Sequence, residues 1–160
     1  MTVFGRLGSA LLGAAATAVL FSGIAAAAPL AASAAPSRGG AVADLVAATN
    51  AARQAAGCPA VEPDAQLHEV AQAHAAELAR HRYLEHVDRE GRTSDERIRS
   101  AGYGESSGEN LAFGYPTAAE VMEVWMSSSG HRRSIEDCTY TAIGVGYVAD
   151  GHYWVQDFGS

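Results

Sequence analysis

Near its C-terminus the chain alternates Ile143-Gly144-Val145-Gly146-Tyr147, and this run restricts the fold more than any other stretch. Its period is two, so it predicts a strand with Ile143, Val145 and Tyr147 on one face and no side chains on the other. A face bared in this way suits a place where a helix or another backbone packs closely. Asp150 and Gly151 then offer a tight turn, and residues 153–158 return as the second strand of an antiparallel hairpin. Upstream the period is helical. Val42, Leu45, Val46 and Thr49 predict a helix over residues 41–56 that ends at Gly57. Asp64 can cap a second helix reaching His81, with Leu67, Val70, Ala71, His74 and Leu78 along one face. His74, inside that apolar stripe, reads as a core histidine. Thr93 with Glu96, and Thr117 with Glu120, have capping-box spacing and start two further helices. The first of these ends at Gly102. The other carries Val121, Val124, Trp125 and Ser128 before it runs out at Ser129 and Gly130. Helices first and strands last argue for an α+β fold.

The first 35 residues differ in kind. One cation, Arg6, precedes an apolar run from Leu7 to Leu20 and on to Ile24, followed by alanine-rich small-x-small sites. That is the layout of a secretory leader, expected over residues 1–34 with cleavage after Ala34 or after Ala27. Residues 35–41 read as a flexible linker and 42–160 as the folded domain. With Ser160 directly after the last strand, release without a stable membrane anchor is expected, and the localisation is secreted. Cys58 and Cys138 are the only cysteines, and in an exported chain they most simply form one bridge. In the chain-entropy account a loop that long is worth roughly 4 to 5 kcal/mol. The formal charge is −7 with Arg6 included, so loss of the leader leaves −7 − 1 = −8, and there is no lysine. Nucleic acid is therefore not an expected partner.

Three strings carry a resemblance: Gly108-Glu109-Asn110-Leu111-Ala112, the Trp125 helix running into Gly130-His131-Arg132, and Tyr153-Trp154-Val155-Gln156-Asp157-Phe158-Gly159. Their order and separations, with His86 upstream and the cysteine pair, resemble the CAP superfamily of cysteine-rich secretory proteins, antigen 5 and pathogenesis-related protein 1. The short bacterial members are the nearest in kind, and the likeness extends from about Val42 to Gly159. It implies a three-layer α-β-α sandwich with a small antiparallel sheet and a shallow groove. It also implies that two histidines and two glutamates line that groove and hold a divalent ion, commonly zinc. Residue by residue, His86 matches the first histidine, Glu109 the first glutamate and His131 the second histidine.

The second glutamate is replaced by Ser128, three positions after Trp125. A neutral hydroxyl is a poor ligand for such a cation, so His86, Glu109 and His131 are expected to bind zinc weakly, with Ser128 lining the groove. Glu123 lies on another helix face and does not stand in for the missing carboxylate. No catalytic residue is assigned. Ser127, Ser128 and Ser129 lack the strand-turn-helix setting and chain order of a serine hydrolase. The expectation is a secreted binding or interaction module, monomeric, whose groove takes a metal ion or small ligand, with a lipid or cell-envelope component as a further partner class. The rival is a zinc-assisted hydrolase of envelope polymer or peptide, which would want a second carboxylate as general base where Ser128 stands.

Overall fold

The structure is a computed structural model that describes residues 37–104 and 107–160. The leader and both of its cleavage positions lie outside the described residues. Helix α1 spans Arg38–Ala55 and begins earlier than its apolar pattern indicates. The Ser37 hydroxyl accepts from the Gly40 N–H at 3.2 Å, so Arg38, Gly39 and Gly40, expected as linker, form the first turn. Strand β1 is the short Glu62–Pro63. Helix α2, Ala65–His81, starts where Asp64 accepts from Leu67 N–H at 2.8 Å, and it leaves through Arg82 at φ 54. Helix α3, Ser94–Ser100, and helix α4, Ala118–Ser127, both carry complete capping boxes, from Thr93 with Glu96 and Thr117 with Glu120.

Three elements were not expected, the short β1 among them. Strand β2 covers Ser107–Ala112, and helix α5 covers Ser129–Ile135. Ser128 has extended backbone, so the chain breaks helical geometry for one residue and resumes at once in a new direction. Strands β3, Ala142–Val148, and β4, Tyr153–Gly159, form the expected hairpin. The sheet runs in the order β1-β3-β4-β2, with β1 parallel to β3 and the other pairs antiparallel. It lies between α2 on one face and α1 with α4 on the other, the α-β-α sandwich expected.

The strand pattern explains the layers. Ile143, Val145 and Tyr147 point into the larger core with Leu45, Val121, Trp125, Ile135, Trp154 and Phe158. Gly144 and Gly146 face α2, and a Cβ on either would collide with the backbone of Leu67 or of Ala71. Helix α2 therefore rests on main chain, and its Ala71, Ala75 and Leu78 meet Leu111, Tyr153 and Val155 beside the contact. At the far end Cys58 and Cys138 are bonded, with Cα atoms 4.9 Å apart. Buried Arg53 reinforces that junction. It donates to the carbonyl oxygens of Pro59, Ile135, Asp137 and Tyr140 at 2.8–3.0 Å.

Candidate functional site

The site stands at the outer edge of β2, where the two helical layers meet. On β2 and β4 the period-two alternation sends Glu109, Leu111, Val155 and Asp157 toward α2, and Glu109 lies directly opposite Asp157. His86 arrives on the loop after α2. That loop is held by His74, whose buried ring bonds the Glu85 carbonyl through Nε2 at 3.0 Å. His74 is thus a core histidine, as expected, and burial followed by the nearby Arg97 charge lowers its pKa.

The centre of the site is a chain of charged groups. Glu109 accepts from His86 Nδ1 through Oε1 at 2.7 Å and from Arg97 through Oε2 at 2.6 Å. Arg97, on α3, is only 5% exposed and also donates to the carbonyls of His86 and Arg92 at 2.9 and 3.0 Å. One guanidinium therefore neutralises the buried carboxylate and fixes the loop that carries the imidazole. The hydrogen bond to Glu109, opposed by partial burial, raises the pKa of His86, whose side chain remains 57% exposed.

Asp157 completes the cluster from below. It is fully buried, and neither of its oxygens meets a hydrogen-bond donor among the described residues. Burial, and then the adjacent Glu109 charge, push its carboxyl well above the usual range. Two ionised carboxylates would repel and have no proton to share. A protonated Asp157 instead donates to Glu109, which resolves the apparent lack of partners.

His131 approaches from the other layer, on α5. Its ring lies 6.3 Å from the Trp125 ring, and its carbonyl accepts from Asn110 Nδ2 at 3.2 Å. Its Nδ1 is buried without a partner among the described residues. Burial, then the charge on His86, lowers its pKa, so the two imidazoles are near enough to influence each other. Ser128 is half-buried at the α4–α5 junction, and its side chain does not cap α5. Between these layers Leu84, Leu111, Ala112, Phe113, Tyr115, Val124, Trp125 and His131 line a trough of 170 Å³.

The structure thus brings His86 and Glu109 into contact and sets His131 nearby. Among the described residues no three His, Cys, Asp or Glu side chains gather as a metal-holding group. Both Glu109 oxygens are already engaged, so a divalent ion would find one nitrogen on His86, one on His131 and a spent carboxylate. That donor set suits a weak, exposed contact and not a closed zinc site.

The family profile described as the cysteine-rich secretory protein family, CAP, matches residues 46–158. The chain belongs to that family. Among relatives of this CAP domain is YkwD of Bacillus subtilis (strain 168), described as uncharacterized and 36% identical over 115 residues. The match covers 71% of this chain and 45% of YkwD, so the chain spans less than half the length of that relative. Among solved structures, an extracellular protein containing a SCP domain from Bacillus anthracis str. Ames superposes with a TM-score of 0.71 at 24% identity. The overlap covers 76% of this chain and 41% of that one. An outer surface protein from Borrelia burgdorferi gives a TM-score of 0.67 at 23% identity, over 72% and 89% of the two chains. These likenesses carry the CAP fold.

Sequence reasoning missed Arg97 and Asp157. Asp157 had a readable signal, because the alternation through residues 153–158 puts it on the same face as Tyr153 and Val155, which is buried. Arg97 had a fainter one. It directly precedes Ile98, the apolar residue of a seven-residue helix otherwise made of polar side chains.

Proposed function

We propose that this CAP domain is a secreted extracellular binding module whose His/Glu-lined groove receives a small ligand, with a divalent ion as a weak alternative occupant. The supporting observation is the chain Arg97–Glu109–His86, which runs from the interior to an imidazole open to solvent. Burying two charges is costly even when they are paired, and such clusters concentrate where a ligand uses them. Export is supported by the leader-like first 35 residues and by a disulfide that persists in oxidising compartments. No described helix is long and apolar enough to cross a membrane. One structural neighbour is described as extracellular and another as an outer surface protein.

The test is amide-resolved NMR on the mature domain, titrated with zinc chloride and with a panel of soluble neutral fragments. Saturable shifts clustering at Leu84, His86, Asn110, Phe113, Val124 and His131 are expected. In calorimetry, zinc uptake should be weak, should tighten in Ser128→Glu and should vanish in His131→Ala. A panel with no ligand, or with ligands only at other surfaces, refutes the assignment of the groove.

A further inference from the structure

We infer that the β1 edge of the sheet carries a second docking site, a slot between α1 and α2 that takes a basic segment of another protein, with one apolar side chain inserted and lysine or arginine on either side of it. The site is independent of the ligand-site reading above, because the strand order β1-β3-β4-β2 puts it at the opposite edge from β2 and its Glu109. The slot follows from the shortness of β1. Pro63 and the Asp64 cap turn the chain into α2 after two paired residues, whereas β3 runs on to Val148. Beyond Ile143 no described strand lies beside β3 on that side, and the Gln72 side chain accepts from the Tyr147 N–H at 3.0 Å in place of one.

The walls are apolar. Val42 and Val46 of α1, Pro63 and Ala65 where the chain enters α2, and Ile143 and Val145 of β3 enclose 360 Å³. A dry apolar cavity of about 150 Å³ is known to hold one benzene, so the slot admits one large side chain together with the backbone that carries it. Val42 and Val46 pack against the core and yet stay half-buried, so α1 offers the slot apolar surface that no described residue covers. Apolar surface held open in a concave site marks a binding face.

Charge selects the occupant. Asp44 lies between the two valines along α1, Glu62 and Asp64 flank Pro63, and Glu69 follows His68, which also lines the slot. Asp44, Glu62 and Glu69 are exposed, and none of the four carboxylates forms an ion pair among the described residues. The nearest cation along α1 is Arg38, one turn before Val42. Four carboxylates against one guanidinium give the rim a negative field, in a chain that is acidic as a whole. That field attracts lysine and arginine, and it repels a fatty-acid carboxylate, an anionic membrane and the same rim on a second copy. Among the described residues these carboxylates do not gather as a metal-holding group, so the charge they meet is spread along a segment and not held by one ion. An apolar anchor between cations is the complement of this surface.

The experiment titrates capped pentapeptides into the mature protein, with its Cys58–Cys138 bridge intact, at pH 7.5 and low salt, and follows them by NMR. One peptide has a central leucine between two pairs of lysines, the second a central glycine between the same lysines, and the third a central leucine between two pairs of glutamates. The first should saturate with shifts at Val42, Val46, His68 and Val145. It should bind at least about tenfold more tightly than the glycine peptide, through burial of the side chain, and than the glutamate peptide, through charge. Salt at about 0.5 M should weaken it severalfold. Glu62→Lys combined with Glu69→Lys, both at exposed positions, should weaken it at least about tenfold with the melting temperature near wild type, and Val42→Asn should weaken it by removing part of the apolar wall. Equal binding of the three peptides, shifts confined to other surfaces, no binding at all, or affinity unchanged in both variants overturns the inference. Sodium dodecanoate filling the slot more tightly than the lysine peptide, or a concentration-dependent dimer giving the same shifts without peptide, assigns another occupant and overturns it as well. His86 and His131 should not shift with the lysine peptide, and shifts there alone would remove this site while leaving the ligand-site reading in place.

Discussion

Replacing Asp157 by asparagine should stabilise the protein at neutral pH, an unusual expectation for a fully buried residue. An unfolded Asp157 loses its proton near its ordinary value of 3.8, whereas the folded one, buried and facing Glu109, holds it to higher pH. Stability carried by this residue is therefore complete below the unfolded value and is lost as pH rises toward the folded one. Each pH unit in that window removes about 1.4 kcal/mol, the free energy of one extra proton in the native state. The asparagine of the variant carries no such proton, and its amide can still donate to Glu109. Thermal or urea unfolding of both proteins should be followed between pH 4 and 7, using the difference between them so that the remaining carboxylates cancel. The gap should widen in favour of Asp157→Asn with rising pH, at a slope approaching about 1.4 kcal/mol per unit, and should flatten once the wild-type carboxyl ionises. Parallel pH profiles, or a variant less stable than wild type at pH 7, would refute a protonated Asp157.

Other expectations test the frame and the imidazoles. Breaking the Cys58–Cys138 bridge by reduction or by paired alanine substitution should cost about 4 kcal/mol. That corresponds to a drop of roughly 15–30 °C in melting temperature. Gly146→Ala should destabilise by about 1–3 kcal/mol or more, because the added methyl meets the Ala71 backbone, which cannot rotate aside. In an NMR titration His86 should protonate above pH 6.5 and His131 below it. Glu109→Gln should move His86 back down, and a midpoint for His86 that ignores this change would contradict the pairing.

Much of the frame was legible because its signals are local. Both capping boxes, the Asp64 cap, the glycine-bared strand and the hairpin need only a few neighbouring residues to be read. Strand β2 hid because its inward residues include Glu109 and Asn110, so a buried strand reads as a polar loop. Helix α5 hid behind Ser129 and Gly130, which look like a helix end and instead begin the next one. The triplet His86, Glu109 and His131 came from the family resemblance. What sequence spacing could not supply was the state of Glu109, because Arg97 and Asp157 reach it from separate elements. Arg53 was unread for the same reason, since four carbonyls from distant segments converge on it.

Because Gly144 and Gly146 let α2 rest on strand backbone, the standoff of that helix is set by main-chain contact, which has almost no compliance. His74 rides on α2 and anchors Glu85, the residue before His86. The sheet-to-helix spacing thus acts as a lever on the imidazole, with its fulcrum at two positions that never touch the groove. Adding a methyl at Gly146 should therefore do two separable things. It lowers stability, and in the molecules that remain folded it lifts His86 relative to Glu109, lengthening a 2.7 Å hydrogen bond whose partners are both unaltered in sequence.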